Sequence, residues 1–270
     1  MKTRKLSKLE VSSVGMGSAQ TFDVVDNTSV AVCKEIMTQC IAEGVTFIDT
    51  SPMYGRAEWV LGNVMEGTRD KFQIATKVWC SGFDTAVRQI ARSFELLKTD
   101  YIEVMQIHNL VDWKSHLPYL EDLKSQGTIG LIGATYGYPD KLPELIDLMK
   151  TGRLDTIQIS YNVKDRAVEE KVLPLAEERN IGVIVMRPTG KGGLVNELRL
   201  QPQIGPLREF GITTWGQALL AWLLSDPRVS VPIPATTKPT RITENAVPGN
   251  LETLPQELRL YIEKETDRCI

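Results

Sequence analysis

Four side chains in the first 110 residues have the types and spacing needed for proton transfer. Asp49 and Tyr54 lie in FIDTSPMYGRAE, Lys77 lies in IATKVW, and His108 lies in VMQIHN. Asp49, Lys77 and His108 each end a short apolar run that is typical of a buried strand. Because successive parallel strands are usually neighbours, we expect these three groups to face one mouth, with Tyr54 in the loop beside it.

This set of residues would tune a tyrosine to act as an acid. Tyrosine has a pKa of about 10 and is a poor acid at neutral pH, and a neighbouring ammonium favours its phenolate form. Lys77 can supply that charge, Asp49 can hold the lysine protonated, and His108 can donate to a carbonyl oxygen or relay a proton. The chemistry suits an oxygen that gains negative charge, as happens when hydride adds to a carbonyl carbon.

Each of the four residues also has an ordinary structural interpretation. A lysine at a strand end is usually solvated, and a histidine after an apolar strand is more often a satisfied structural group. Asp49 could cap a loop or helix, and Tyr54 could simply pack. The coincidence of all four at corresponding places favours the functional interpretation.

The elements that position these residues follow a regular alternation of apolar runs and amphipathic helical patterns. The predicted strands span residues 13–18, 46–51, 72–79, 101–109, 129–136, 156–162, 182–188 and 229–236. Eight strands, each followed by helical sequence, predict an α/β fold, a parallel eight-stranded (β/α)8 TIM barrel, as a single domain over residues 1–270. The alternative is an open doubly wound sheet, which usually carries a GxGxxG loop, whereas GMGSAQTF has only Gly15 and Gly17.

Helix ends are signalled at several places. Gly44 is a predicted C-cap and Asp84 a predicted N-cap, while Pro174 should kink or shorten the helix that contains it. The C-terminal segment 251–270 predicts a short amphipathic helix that closes the barrel. It leaves little chain for a long loop over the substrate, which predicts an open site for varied carbonyls.

Composition excludes several classes of protein. The formal net charge is -3 and no basic run occurs, which argues against nucleic-acid binding. No apolar stretch approaches the roughly 20 residues of a membrane helix, and the charged N-terminus lacks the apolar block of a signal peptide. The 4 cysteines form no CxxC pair and the 2 histidines allow no zinc spacing. We therefore expect a cytoplasmic enzyme without a metal, a nucleic-acid partner or a membrane partner.

The motifs together resemble those of the aldo-keto reductases over nearly the whole chain. GVTFIDTSPMYG is similar to the family's first signature, and Asp49 and Tyr54 fall on its acid anchor and proton donor. Lys77 and His108 match its catalytic lysine and histidine. IPATTKPTRITEN is similar to its cofactor signature. The resemblance implies a TIM barrel that binds NADP(H) without a Rossmann domain and reduces an aldehyde or ketone.

The resemblance also implies residues for the nicotinamide half of the cofactor, in which Tyr136 replaces the usual asparagine and Met186 the usual stacking tyrosine. Met186 can still cover a ring face, and Arg187 can reach the pyrophosphate. Trp79, Cys80, Phe83, Trp113 and Phe22 are pocket candidates that could equally be loop packing. The implied cofactor residues here are Gly17, Ser18, Ala19, Thr135, Gln158, Met186, Arg187 and Pro188.

For the 2′-phosphate, Arg241 matches the residue that binds the phosphate or stacks on adenine, and Glu244 and Asn245 match the rest of the pattern. The lysine common in some branches is Ala235 here. Thr236, Thr237 and Lys238 can compensate near the start of a short helix, where anions bind well. A surface helix with a routine arginine is the structural alternative, and the pattern favours NADP over NAD.

Three other functions use the same residues. The reverse reaction would make the chain an NADP-dependent alcohol or sugar dehydrogenase acting on an alcohol substrate. A barrel lyase or isomerase could use Tyr54, Lys77 and His108 without net redox change. A redox-sensing binding subunit would bind NADPH tightly and turn over slowly.

Overall fold

The chain begins with a β-hairpin that the sequence analysis did not predict. In the computed structural model, which describes all 270 residues, β1 (Thr3–Leu6) pairs antiparallel with β2 (Leu9–Ser12). Ser7, in the turn, has a φ of 56°. The alternation of Lys and Glu with Leu6, Leu9 and Val11 is the period-two signal that marks such a strand pair.

Eight parallel strands then follow in chain order, each paired with the next. The strands are β3 (Met16–Gly17), β4 (Phe47–Asp49), β5 (Gln73–Val78), β6 (Ile102–His108), β7 (Ile129–Tyr136), β8 (Thr156–Ser160), β9 (Gly182–Met186) and β10 (Val231–Pro232). Each lies within a predicted run. The predicted (β/α)8 barrel is confirmed.

The barrel closes between β10 and β3 along a seam with few hydrogen bonds. Gly15 N–H donates to Pro232 O at 2.9 Å, and Gly17 N–H donates to Pro234 O at 3.2 Å. The prolines have no N–H to return, so regular pairing is short at this seam. A Cβ on Gly17 would lie 2.9 Å from Ile233 O, so the glycine allows the strands to approach.

Ten helices surround the sheet. They are α1 (Asn27–Glu43), α2 (Ala57–Val64), α3 (Phe83–Leu97), α4 (Trp113–Ser125), α5 (Leu142–Lys150), α6 (Val172–Glu178), α7 (Gly193–Asn196), α8 (Trp215–Leu224), α9 (Pro239–Ala246) and α10 (Gln256–Cys269). A core of 59 buried residues fills the space between helices and strands. None of these helices has the length and apolar character required to traverse a bilayer.

The predicted C-cap of α1 is right, the predicted N-cap of α3 is wrong, and the shortening predicted from Pro174 occurs at α6. Gly44 caps α1 in the left-handed region, with a φ of 71°. The N-cap of α3 is Gly82, and Asp84 lies inside its first turn, where a carboxylate is favourable beside the helix dipole. Pro174 lies in the first turn of α6, where its missing N–H costs nothing, so the predicted helix is shortened rather than kinked.

The hairpin, and not the C-terminal helix, closes the barrel. Leu6 and Val11 are fully buried and join the inner apolar cluster of the barrel. A Cβ on Gly182, the first residue of β9, would lie 2.6 Å from Leu6 Cδ1, which places the hairpin at the N-terminal end. Helix α10 instead packs outside, against α8, where Trp222 Nε1 donates to Glu263 at 3.0 Å. The prediction that the C-terminal helix closes the barrel is wrong.

Candidate active site

Three neighbouring strands bring an aspartate, a lysine and a histidine to the C-terminal mouth of the barrel. Asp49 ends β4, Lys77 is the penultimate residue of β5, and His108 ends β6. The register pairs Asp49 with Ala75 and Lys77 with Gln106, so the three side chains point inward from adjacent strands.

The lysine and the aspartate form a buried ion pair. Lys77 Nζ lies 2.8 Å from both carboxylate oxygens of Asp49 and donates to Thr50 O at 2.7 Å. Lys77 is 0% exposed and Asp49 is 2% exposed. Gln106 and Gln158 also donate to the Asp49 carboxylate, at 3.2 and 3.4 Å. A charge this deep requires such a full set of partners.

The ion pair keeps the lysine protonated. Burial, the largest single influence, would lower the pKa of Lys77, but Asp49 and Tyr54 together outweigh burial and the pKa of Lys77 is raised. Burial raises the pKa of Asp49, and the Lys77 ammonium opposes that rise. With four donor contacts on its oxygens, Asp49 remains a carboxylate beside an ammonium.

Tyr54 lies in the loop after β4, directly over the ion pair. Lys77 Nζ is 5.2 Å from the centre of the Tyr54 ring, and the ring meets the His108 ring edge-on at 6.0 Å. Burial raises the pKa of Tyr54, while Lys77 and Arg187 lower it, and the net change is upward. The lowered pKa predicted from the Lys77 ammonium alone is therefore wrong, because burial of the phenol has the larger effect. The free protein therefore holds Tyr54 as a neutral phenol.

His108 is held neutral at the same mouth. Burial and the neighbouring Lys77 ammonium lower the pKa of His108 to about 3. Its Nδ1 lies 2.9 Å from Ser51 Oγ. Its Nε2 has no hydrogen-bond partner in the chain and is not fully buried, so this nitrogen is open to the mouth. A neutral imidazole with one free edge can donate or accept one hydrogen bond there.

The predicted pocket residues divide into rim and core. Trp79 and Phe83 are 41% and 51% exposed, and the Trp79 ring lies 6.4 Å from that of His108. Met53, which was not among the predicted residues, is also 44% exposed, in the loop that carries Tyr54. Phe22 is fully buried in the core, so it does not line the pocket. Cys80 and Trp113 are partly buried against the same core.

The predicted nicotinamide residues lie around the rest of the mouth, on strands to either side of those that carry Asp49, Lys77 and His108. Thr135 is buried near the end of β7 and the partly buried Met186 ends β9. Gln158, on β8, donates to Asp49 and keeps its buried Oε1 without a partner. Gly17, at the end of β3, and Ser18 are buried, and Ser18 Oγ is also unpartnered, while Ala19 is partly exposed. Among these predicted residues, two buried polar atoms thus lack partners, one on β8 and one just after β3.

Tyr136 does not take the place of the amide that the resemblance implies. Its ring packs with the core outside the sheet, and its hydroxyl donates to Asp140 at 2.9 Å. Arg187 follows β9 with a φ of 55° and donates to Gly137 O at 2.9 Å. Its guanidinium lies 4.5 Å over the ring of Tyr138, and the buried Pro188 comes next. Side chains from β7 and β9 therefore meet across the end of β8.

The predicted phosphate residues lie around the N-terminus of α9. Lys238 is the N-cap and is exposed, and the backbone N–H of Lys238 donates to Thr236 Oγ1 at 3.0 Å. Arg241 and Glu244 form an ion pair at 3.0 Å, which the sequence analysis did not foresee. Asn245, the next residue, is partly buried.

Sequence reasoning missed two residues that hold the site together. Gln106 lies two residues before His108 on the same face of β6 and donates to Asp49. Ser51 follows the strand of Asp49 and contacts His108. The strand alternation was a usable signal for Gln106, since an amide on an inward face must find a partner. No local signal marks Ser51, because its partner lies 57 residues away.

Comparison with known proteins gives consistent matches. A family model described as "Aldo/keto reductase family" matches residues 13–264. The chain is 26% identical over 310 residues to the uncharacterized oxidoreductase YqkF of Bacillus subtilis, covering 100% of this chain and 98% of YqkF. It is 28% identical over 229 residues to the methylglyoxal reductase YeaE of Escherichia coli, covering 80% and 78%.

The fold has a solved counterpart. An aldo/keto reductase from Klebsiella pneumoniae in complex with NADP and acetate superposes with a TM-score of 0.84 at 23% identity, covering 97% of this chain and 94% of that one. The likeness extends over nearly the whole of both chains.

Proposed function

The chain belongs to the aldo/keto reductase family, and from this membership we propose that it is an NADPH-dependent reductase of small aldehydes or ketones. The observation that carries the proposal is the Asp49–Lys77 ion pair, fully buried, with its ammonium 5.2 Å from the ring of Tyr54. An arrangement that keeps a lysine charged beneath a phenol suits proton donation to a developing alkoxide.

The polar groups of the mouth fit a nicotinamide cofactor. Gln158 Oε1 and Ser18 Oγ are buried without partners. Gln158 Oε1 would accept a hydrogen bond from a carboxamide N–H, and the Ser18 hydroxyl would donate or accept one. Thr135 and Met186, on the strands next to β8, flank Gln158, and Gly17 and Ala19 adjoin Ser18. When bound, NADPH supplies the hydride.

The other end of the cofactor would lie along the loop after β9 and the start of α9. Arg187, with Pro188 next to it, would reach the pyrophosphate, and Lys238 with Thr236 lies where helix N–H groups favour an anion. Arg241 would exchange part of its ion pair with Glu244 for the 2′-phosphate, with Asn245 beside it. This supports NADPH over NADH, and it makes the preference depend on one arginine.

The chain's own residues handle the proton. Tyr54 keeps its proton in the free protein because burial raises the pKa of its hydroxyl. As the carbonyl oxygen gains charge, the Lys77 ammonium stabilises the phenolate that remains after transfer, and Asp49 keeps that ammonium charged. His108, which its pKa of about 3 keeps neutral at pH 7, orients the carbonyl through its free Nε2 edge.

The rim supports a small carbonyl substrate with an apolar part. Trp79, Met53 and Phe83 give the mouth apolar walls that are partly open to solvent. A relative 28% identical to this chain is named a methylglyoxal reductase, which is consistent with carbonyl reduction. We propose aldehydes and ketones with short apolar substituents as the class to test first.

The test is a turnover assay with a matched pair of proteins. Wild-type protein is mixed with NADPH and a panel of aldehydes and ketones, and absorbance at the nicotinamide band is followed. We expect Tyr54→Phe to lower kcat by about 10²- to 10⁴-fold, the usual contribution of a general acid, with NADPH affinity nearly unchanged. NADP with polyols tests the reverse direction.

Two outcomes would overturn the proposal. One is product formation without any added nicotinamide, which would indicate a lyase or isomerase. The other is full reductase activity in Tyr54→Phe.

A further inference from the structure

Ser51 has a buried hydroxyl group that contacts two hydrogen-bonding partners, His108 and the backbone of Met53. Ser51 is 0% exposed. Its Oγ accepts a hydrogen bond from Met53 N–H at 3.1 Å and lies 2.9 Å from His108 Nδ1. No other atom of the chain is within hydrogen-bond distance of this oxygen. The hydroxyl proton therefore has one acceptor available, which is the imidazole nitrogen.

The direction of that bond decides the tautomer of His108. Burial, with the Lys77 ammonium beside it, makes the ring neutral, so only one of its nitrogens carries a proton. If Ser51 accepted from Nδ1–H, its own buried O–H would be left without a partner, which costs free energy. If Ser51 donates, both groups are satisfied and the ring proton is on Nε2.

We propose that Ser51 is a positioning residue that fixes His108 as the Nε2–H tautomer, so that the imidazole presents a hydrogen-bond donor to the mouth. The effect expected on kcat rests on the proposed function, whereas the assignment of the tautomer does not. A donor at Nε2 can bond a carbonyl oxygen, whereas an unprotonated Nε2 would repel it. Ser51 acts on the reaction only through His108.

The end of β4 and the two residues after it thus hold both the charged Lys77 and the neutral His108. Asp49 and Thr50 O hold the Lys77 ammonium, and Ser51, the next residue, holds His108. A backbone bond from Met53 N–H fixes the rotamer of Ser51 in turn. Three consecutive residues therefore set the position of the lysine and the protonation pattern of the histidine.

Nitrogen-15 NMR tests the tautomer directly, because the chain has only 2 histidines. Protein labelled at the imidazole nitrogens should show His108 with a pyridine-type Nδ1 and a pyrrole-type Nε2 at pH 7. A His116→Gln variant assigns the signals. A pyrrole-type Nδ1 in wild-type protein would overturn the proposal, whatever the protein's activity.

Variants at Ser51 supply the second measurement. We expect Ser51→Ala to shift the His108 signals toward a tautomer mixture and to lower kcat about tenfold, with NADPH affinity unchanged. Ser51→Thr keeps the hydroxyl and should retain the wild-type tautomer. Unchanged His108 signals in Ser51→Ala would overturn the proposal.

The matched control is Ser230→Ala. Ser230 Oγ also accepts a backbone N–H, from Val183 at 3.1 Å, and is nearly buried, but it contacts no histidine. Its loss should lower stability to a similar extent without changing the His108 signals. If wild-type protein reduces no carbonyl while the NMR tautomer is as expected, the proposed function fails and the tautomer assignment stands.

Discussion

The two ends of the barrel interior are built from the same strands but differ in polarity and in the interactions that hold them together. Phe47, Ala75 and Val104 form an apolar lower layer that contacts the hairpin, and all are fully buried. Two residues further along the same strands come Asp49, Lys77 and Gln106, which form a polar upper layer joined by hydrogen bonds.

This contrast shows how one strand serves two purposes. Apolar burial is non-directional, so the lower layer needs only the right volume. The upper layer needs every donor matched to an acceptor, because an unpaired charge at that depth is expensive. The lower layer should therefore govern stability alone, while the upper layer should govern both stability and activity.

The largest effect is expected from breaking the upper layer at Lys77. Lys77→Met should destabilise the fold by about 3–5 kcal/mol, because it leaves the Asp49 carboxylate buried without its counter-charge. Urea unfolding at neutral pH measures the loss. The double variant Asp49→Asn/Lys77→Met should recover much of that stability while remaining inactive. A cost below about 1 kcal/mol for the single variant would contradict the account of the ion pair.

Breaking the lower layer should affect stability alone. Leu6→Ala should cost about 2–5 kcal/mol, because it removes buried methyl groups where the hairpin covers the barrel floor. The kcat of the folded variant should stay within about twofold of wild type, a negligible change in barrier height. Chemical unfolding and steady-state kinetics on one preparation measure both. A large drop in kcat would show that the two layers are coupled.

The pH dependence of stability sharpens the comparison at His108. The pKa of His108 falls from 6.5 to about 3 on folding because of burial and the Lys77 ammonium. Between those values the unfolded chain binds more protons, so stability is full above pH 6.5 and declines as pH falls. From pH 7 to pH 5 the loss assigned to His108 is about 2 kcal/mol. It should be absent in His108→Gln, and equal pH slopes in the two proteins would refute the shift.

The smallest effect is expected outside both layers, at the start of α9. Arg241→Ala should weaken NADPH by about tenfold, or about 1.4 kcal/mol, and NADH by much less. The reason is that the guanidinium would contact the 2′-phosphate that only NADPH carries. Fluorescence titration with both cofactors measures the ratio. Equal weakening of the two would show that Arg241 does not read the phosphate.

The sequence predicted the barrel because buried parallel strands leave a strong local signal. Each apolar run, such as that ending at Asp49, sits between helical patterns, and strand order follows chain order. The hairpin escaped prediction because its strands hold only four residues each and its apolar partners belong to strands far along the chain.

The site was predictable where a residue acts by its type and not where it acts through a distant partner. Lys77 and Asp49 stand out because they and His108 occupy corresponding places on three successive apolar strands. The orientation of the Tyr136 side chain could not be predicted from the sequence, since it depends on Asp140 offering an acceptor outside the sheet. The rise in the pKa of Tyr54 likewise depends on its burial in the folded protein.

The hairpin at the barrel floor has a consequence for how the chain is made. Arg4 donates to the carbonyls of Leu224 and Val229, and Lys2 donates to Leu251 O, 249 residues away. The hairpin therefore cannot complete these contacts until residues 224–251 have been synthesised. Until then Leu6 and Val11 cannot be buried against the barrel floor, which leaves these apolar side chains open to chaperone binding.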